Sequence, residues 1–355
     1  MKNYQTAIAF RILIVALLTS SSVWAQDKQN APTPTPISPK SSVAAGEGII
    51  KALLIDGQNN HGEWPKTTVL MRQVLEATGK FSVDIERTQF TMKGGKLVKQ
   101  FPLDDGKTYK ENKRGKTDPE FHPKFSDYHV VISNFGHGAA DWPEATQKDF
   151  EKYMSGGGGL VVVHAADNSF PQWVEYNKMI GLGGWGKRTE KAGPYVYYDK
   201  DEKEVRDTSA GKGGDHGPRH EFSIVSRNAE HPIMKGLPTS WLHTRDELYS
   251  QLRGPAENMS ILATAWADKK FKGTQRHEPM LMVIDYGKGR VFHTTLGHDV
   301  PAMSCVGYQT ILFRGTEWAA TGKVTLTDLP ENFPTSKKSS SVKFEVSPQG
   351  SSKKK

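Results

Sequence analysis

From residue 49 the chain alternates between short apolar runs and longer stretches with apolar residues at helical spacing. Four runs read as strands: "IIKALLIDG" (49–57), "FSVDIER" (81–87), "YHVVISN" (128–134) and "LVVVHA" (160–165). Helical patterns separate them. "WPKTTVLMRQVLEATG" carries Pro65 near its first turn, Val69, Leu70, Val74 and Leu75 as apolar positions, and Gly79 as a stop. "DWPEATQKDFEKYMSGGGG" offers Asp141 as a cap and Pro143 in the first turn, and "PQWVEYNKMIGLGGW" begins a third helix. Strand–helix alternation at this spacing predicts an α/β fold built on a mostly parallel sheet with helices on both faces. Binding sites in such sheets lie beyond the carboxyl ends of the strands, where Asp56, Asn134 and His164 stand.

The second half is richer in strands: "YVYYD" (195–199), "HEFSIV" (220–225), "ILATAW" (261–266), "PMLMVIDYG" (279–287) and "GRVFHTTLG" (289–297). The last two, joined around "GKG", read as a hairpin, and "GYQTILFRGTEWAAT" (307–321) as a closing helix. No internal repeat is visible.

The ends differ in kind. Residues 1–25 combine Lys2 and Arg11, the apolar "ILIVALL" and "TSSSVWA", the parts of a secretory signal peptide. Seven apolar residues are far short of the roughly 20 that span a bilayer. Export to a periplasm or the exterior is therefore expected, with no transmembrane segment once the signal is removed. Residues 26–48 form a Pro/Ser/Thr-rich linker, the α/β domain is expected over 49–330, and 331–355 reads as a basic, disordered tail.

The net charge of +8 sits at those ends. Lys2 and Arg11 supply part of it, and Lys337, Lys338, Lys343 and the terminal Lys353, Lys354 and Lys355 most of the rest. The central domain is left nearly neutral, so it lacks the basic face that nucleic-acid binding requires. Cys305 is the single cysteine, which excludes an intramolecular disulfide.

The run "GGGGLVVVHAADNSF" (156–170) is the most informative stretch. A buried strand entering a sharp turn among small residues is the frame of a nucleophile elbow, but the tip holds His164 and Ala165. With no thiol there, cysteine-nucleophile chemistry is excluded. The glycines precede the strand, whereas phosphate cradles follow one, so nucleotide binding is also rejected.

Taken in order, "GGGLVVVHAA", "EYNKMIGLGGW", "HEFSI", "HPIMKGLP", "RDELY", "EPMLMVIDYGKGRVFHTTLGHD" and "RGTEWAATG" resemble the trehalose-utilisation (ThuA-like) family over about residues 49–330. The resemblance implies a class I glutamine-amidotransferase-like, flavodoxin-like fold lacking the amidotransferase cysteine. It also implies a role in carbohydrate metabolism around disaccharides, glycosides and 3-keto-sugars, by hydrolysis, elimination or isomerisation.

The residues themselves name the candidates. His164, His220 and His298 lie at strand ends or edges, and converging imidazoles would suit a divalent metal such as Zn²⁺, with Glu247 or Glu278 completing the set. Without a metal, His164 becomes a general base and Glu247 or Glu278 the acid. Adjacent Asp246 and Glu247 would point to opposite faces of a strand, so only one faces a pocket, and Tyr249 shares the side of Glu247. Asn60 and His61 overhang the rim after the first strand. Trp185, in "GLGGWG", is a sugar-stacking candidate, and His298 and Tyr249 are candidate sugar contacts. His293 reads as a core residue and His231 as a turn organiser. The competing reading is a non-catalytic sugar-binding module or a docking subunit for a companion sugar oxidoreductase.

Overall fold

The computed structural model describes residues 48–343. The proposed signal peptide, nearly all of the linker and the last twelve residues lie outside that range.

Strand β1 (Ile50–Gln58) leads into helix α1 (Trp64–Glu76) and then β2 (Phe81–Met92). After helix α2 (Gly95–Gln100) and β3 (Lys110–Asn112) come β4 (Val130–Ser133), α3 (Glu144–Ser155), β5 (Gly159–Val163) and α4 (Val174–Ile180). These strands pair in parallel, β5 with β4, β4 with β1, β1 with β2 and β2 with β3. Successive residues of β1 face opposite ways, as strand geometry demands. Ala52 and Leu54 pack with Leu70, Met71 and Val74 of α1, while Leu53 and Ile55 pack with Phe150 and Met154 of α3. Helices therefore cover both faces. Asp141 does not cap α3: the preceding Pro143 is extended, at φ −51° and ψ 142°, and the helix begins beyond it.

The second half runs β6 (Tyr195–Tyr198), β7 (Glu204–Asp207), β8 (Asp215–His216), β9 (His220–Ser226), β10 (Ser240–Asp246), β11 (Tyr249–Ser250), β12 (Met259–Trp266), β13 (His277–Tyr286) and β14 (Gly289–Thr294). Two short-range facts decide its topology. The Gly287–Lys288 turn makes β13 antiparallel to β14, with Tyr286 opposite Gly289. On its other edge β14 runs parallel to β5. The main sheet, in order β10-β9-β12-β13-β14-β5-β4-β1-β2-β3, is therefore half antiparallel and half parallel, and β14 is the seam. The chain closes with α5 (Val300–Met303) and α6 (Val306–Thr321), which packs on β5 and β14.

The expected tail from 331 is partly structured. Phe333 packs its ring against Trp241, Val306 N–H donates to Ser340 O at 2.9 Å, and Val342 N–H donates to Ser304 O at 2.9 Å. Burial of apolar Phe333 and Val342 among lysines and serines accounts for the difference, and the domain extends at least to 343. Among the described residues, no helix is long and apolar enough to cross a membrane.

Candidate active site

His164 follows the last residue of β5 with φ +46°, a left-handed conformation that costs a side-chain-bearing residue of order 1–3 kcal/mol. The turn is therefore a strained elbow, and it aims the ring across the seam. Nδ1 lies 2.7 Å from Thr295 O, just past β14. A carbonyl only accepts, so Nδ1 carries a proton and in the neutral ring Nε2 carries the lone pair. Nε2 lies 2.9 Å from the Tyr249 hydroxyl and 3.6 Å from Glu247 Oε2. Asn168 Nδ2 donates to the same hydroxyl at 3.3 Å. Neutral His164 thus accepts from Tyr249, and protonated His164 donates back toward Tyr249 or Glu247.

Burial disfavours a charge on His164, but Glu247 and Asp246 outweigh it and raise the pKa above the usual imidazole value. Burial likewise opposes ionisation of Glu247, and His164, His298 and His216 together hold its pKa below the usual carboxylate range. Tyr249 is fully buried, and burial raises its pKa well above that of free tyrosine, so it remains a neutral donor.

His61 and His298 complete the cluster. The His61 ring lies 5.0 Å from that of His164 and 4.5 Å from that of His298. Burial and the two neighbouring imidazoles lower its pKa to about 3, leaving it neutral. His61 sits on a loop fixed by Asn59, whose Oδ1 accepts from His61 N–H at 2.9 Å and whose Nδ2 donates to Asn134 O and Phe135 O. Gly136 permits that approach, because a Cβ there would stand 2.4 Å from Asn59 Oδ1. Asn60 touches His61 Nε2 at 3.2 Å and accepts from His137 N–H. His298 Nε2 lies 3.3 Å from Glu247 Oε1, and His298 Nδ1 lies 3.3 Å from Asp299 Oδ2. One nitrogen or oxygen from each of His61, Glu247 and His298 falls within 4.8 Å of the others, so these three could hold a metal ion. Beside the cluster, the half-buried Trp185 ring lies 4.9 Å from Tyr249 and 5.8 Å from His216.

The organising residue is Asp246. Its carboxylate accepts from Gly297 N–H at 2.7 Å, Glu247 N–H at 2.8 Å and His298 N–H at 3.2 Å, and lies 3.0 Å from His243 Nε2. Burial opposes its ionisation, but these partners, His243 foremost, hold its pKa at about 2. Gly297 can turn the chain toward it because its φ of +105° favours glycine.

The structure thus brings together His164, Glu247, Tyr249, His61, Asn60, Trp185 and His298. It does not bring in two other candidates. His220, expected as a metal ligand, donates Nδ1–H to Pro218 O at 2.8 Å and stacks on Phe271 at 3.7 Å. Glu278, expected as an acid partner, is 2% exposed and bound to Arg276 at 2.8 Å and Thr274 at 2.7 Å. Of the other strand-end residues, Asp56 is locked to Arg87 at 2.8 Å and Asn134 donates to Trp64 O, Thr67 and Thr68. The hub role of Asp246, and the parts played by Asp299, Thr295 and Asn168, were missed. Asp299 and Thr295 flank His298 in "TTLGHD", a spacing that becomes informative only once Asp246 is known to accept from that loop.

A mixed α/β sheet whose strained elbow presents histidine, facing a tyrosine and a carboxylate, defines the class. Within it, residues 107–319 match the family described as ThuA, trehalose utilisation. A ThuA-like protein of known structure from Parabacteroides merdae is 43% identical, with 82% of this chain and 97% of that one aligned at a TM-score of 0.72. A second, from Bacteroides uniformis, shares the fold at 17% identity and a TM-score of 0.50, covering 79% of this chain and 95% of that one. The chain belongs to the ThuA family. Curated proteins offer no match.

Proposed function

We propose that this protein is an exported carbohydrate-processing enzyme that moves protons on a keto-sugar through His164. The observation that carries the reading is the directed chain Asn168–Tyr249–His164–Thr295. It fixes the Nδ1–H tautomer of a buried His164 and turns its Nε2 toward the Tyr249 hydroxyl and the Glu247 carboxylate, so that a proton can pass to or from that nitrogen. An imidazole of this kind removes the acidic proton next to a ketone to give an enolate. Returning the proton to the neighbouring carbon gives isomerisation, and passing it to the glycosidic oxygen as that C–O bond breaks gives elimination. Tyr249 relays a proton to and from His164 Nε2, and Trp185 is placed to stack against a sugar face.

Ordinary glycoside hydrolysis is less well supported. It uses two carboxyl groups on either side of the bond, about 5–9.5 Å apart. Glu247 fits one such role, but Asp246 is committed to the backbone and His243, and Glu278 to Arg276 and Thr274. The family description supports the sugar class, and the pattern of residues 1–25 supports export. A keto-sugar substrate would come from oxidation of a ring hydroxyl, the reaction of a companion sugar oxidoreductase.

The test is product analysis by NMR on 3-keto-disaccharides and their unoxidised parents. The reading expects turnover of the keto-sugar by wild type and at least a 100-fold loss in His164→Gln. Binding of sugar by calorimetry without turnover would instead make the protein a binding module.

A further inference from the structure

We infer that His61, Glu247 and His298 form a binding site for one divalent transition-metal ion, with positions left open toward His164 and the solvent. The three come from separate parts of the chain: the loop after β1, the break between β10 and β11, and the loop after β14. Two imidazoles and one carboxylate are a ligand set of open, catalytic metal sites.

Geometry favours this over a chance meeting of polar side chains. Metal–ligand bonds of about 2.0–2.2 Å put tetrahedral ligand atoms about 3.3–3.5 Å apart. His298 Nε2 and Glu247 Oε1 already stand 3.3 Å apart, and all three ligand atoms lie within 4.8 Å. The site also contains buried polar atoms without hydrogen-bond partners, namely His61 Nδ1 and Glu247 Oε2, on a glutamate only 9% exposed. Such orphans are uncommon in a folded interior and point to an absent partner.

The surroundings match those of a metal site. Asp299 Oδ2 stands 3.3 Å from the second nitrogen of His298, which makes no hydrogen bond as the ring lies. A small turn of the ring would form the carboxylate–histidine pair that orients a metal ligand. Asp246 clamps the backbones of two ligands, Glu247 and His298, and Asn59 clamps that of the third. The two oxygens of Glu247 can serve different partners: Oε1 faces His298 and Oε2 faces His164.

This inference deepens the site of the proposed function, but its test needs no sugar. Full-length protein is stripped with chelator, dialysed, and titrated with Co²⁺ while its visible absorption is followed, with bound metal counted by mass spectrometry. About one Co²⁺ per chain, displaced by Zn²⁺, is expected. His61→Gln, His298→Gln and Glu247→Gln should each weaken binding at least about 100-fold, and Asp299→Asn by about 10–100-fold. His220→Gln should bind like wild type. Circular dichroism establishes that each variant is folded. No stoichiometric binding by folded wild type, or undiminished binding in folded His61→Gln and His298→Gln, overturns the inference. Metal binding without sugar turnover would sink the functional reading alone; turnover by metal-free protein that binds no Co²⁺ would sink the metal alone.

Discussion

In the parallel half, strand ends are locked by pairs such as Asp56 with Arg87, while the loop after β1, the elbow after β5 and the loop after α4 that carries Trp185 reach the cluster. In the antiparallel half, β10 breaks after Asp246: Glu247 lies in the break, Tyr249 opens the two-residue β11, and His298 comes from the loop after β14 that Asp246 holds to the break. The regular half supplies a rigid base at a fixed place. The irregular half supplies Glu247 and Asp246, the groups that set its charge. The cluster sits at the seam, where among the described residues β14 is bonded to both halves.

The largest effect should come from removing the clamp of the irregular half. Asp246→Ala leaves His243 and three N–H groups without an acceptor, and should cost about 5 kcal/mol in denaturant unfolding. A cost below about 1 kcal/mol would mean that the break in β10 does not depend on it. Arg87→Met breaks the buried pair with Asp56 in the regular half and should cost about 3 kcal/mol. Unlike Asp246→Ala, it should leave keto-sugar turnover by the folded protein within about twofold of wild type. Equal losses of activity in the two variants would erase the distinction between halves.

Two smaller effects sharpen it. His231 packs on Trp318 at 5.0 Å, and burial lowers its pKa to about 4. Its folded pKa lies below the unfolded value near 6.5, so its contribution is complete above 6.5 and is lost as pH falls toward 4. On going from pH 7 to 5, wild type should lose about 1 kcal/mol more than His231→Gln, after allowance for partial exposure. Chemical denaturation at the two pH values reads this. Tyr249→Phe removes the hydroxyl between Asn168 and His164 and should cost about 1 kcal/mol of stability. Activity should fall far more than stability; equal, small changes in both would make Tyr249 structural.

The regular half was legible because its signals are local. Apolar runs, Pro65 and the stop at Gly79 specify β1, α1 and β2 without long-range information. The elbow at His164 could be placed for the same reason. The irregular half was legible in part: β6, β9, β12, β13 and β14 fall on the expected runs, but β7, β8 and β11 are short, and β11 is defined only by its pairing with β8. The site divided likewise. Adjacency showed that Asp246 and Glu247 face opposite ways, but not that Asp246 gathers the loop carrying His298. His220 misled because strand ends with histidine look alike in sequence, and only the neighbouring Phe271 shows where its ring goes.

The most direct measurement of the central claim is solvent exchange. A 3-keto-disaccharide is incubated in D₂O with wild type and with His164→Gln, and deuterium at the carbon beside the ketone is followed by NMR. The account predicts rapid incorporation with wild type and a loss of at least about 100-fold in the folded variant. Incorporation at the buffer rate with wild type, or equal rates with both proteins, would contradict it.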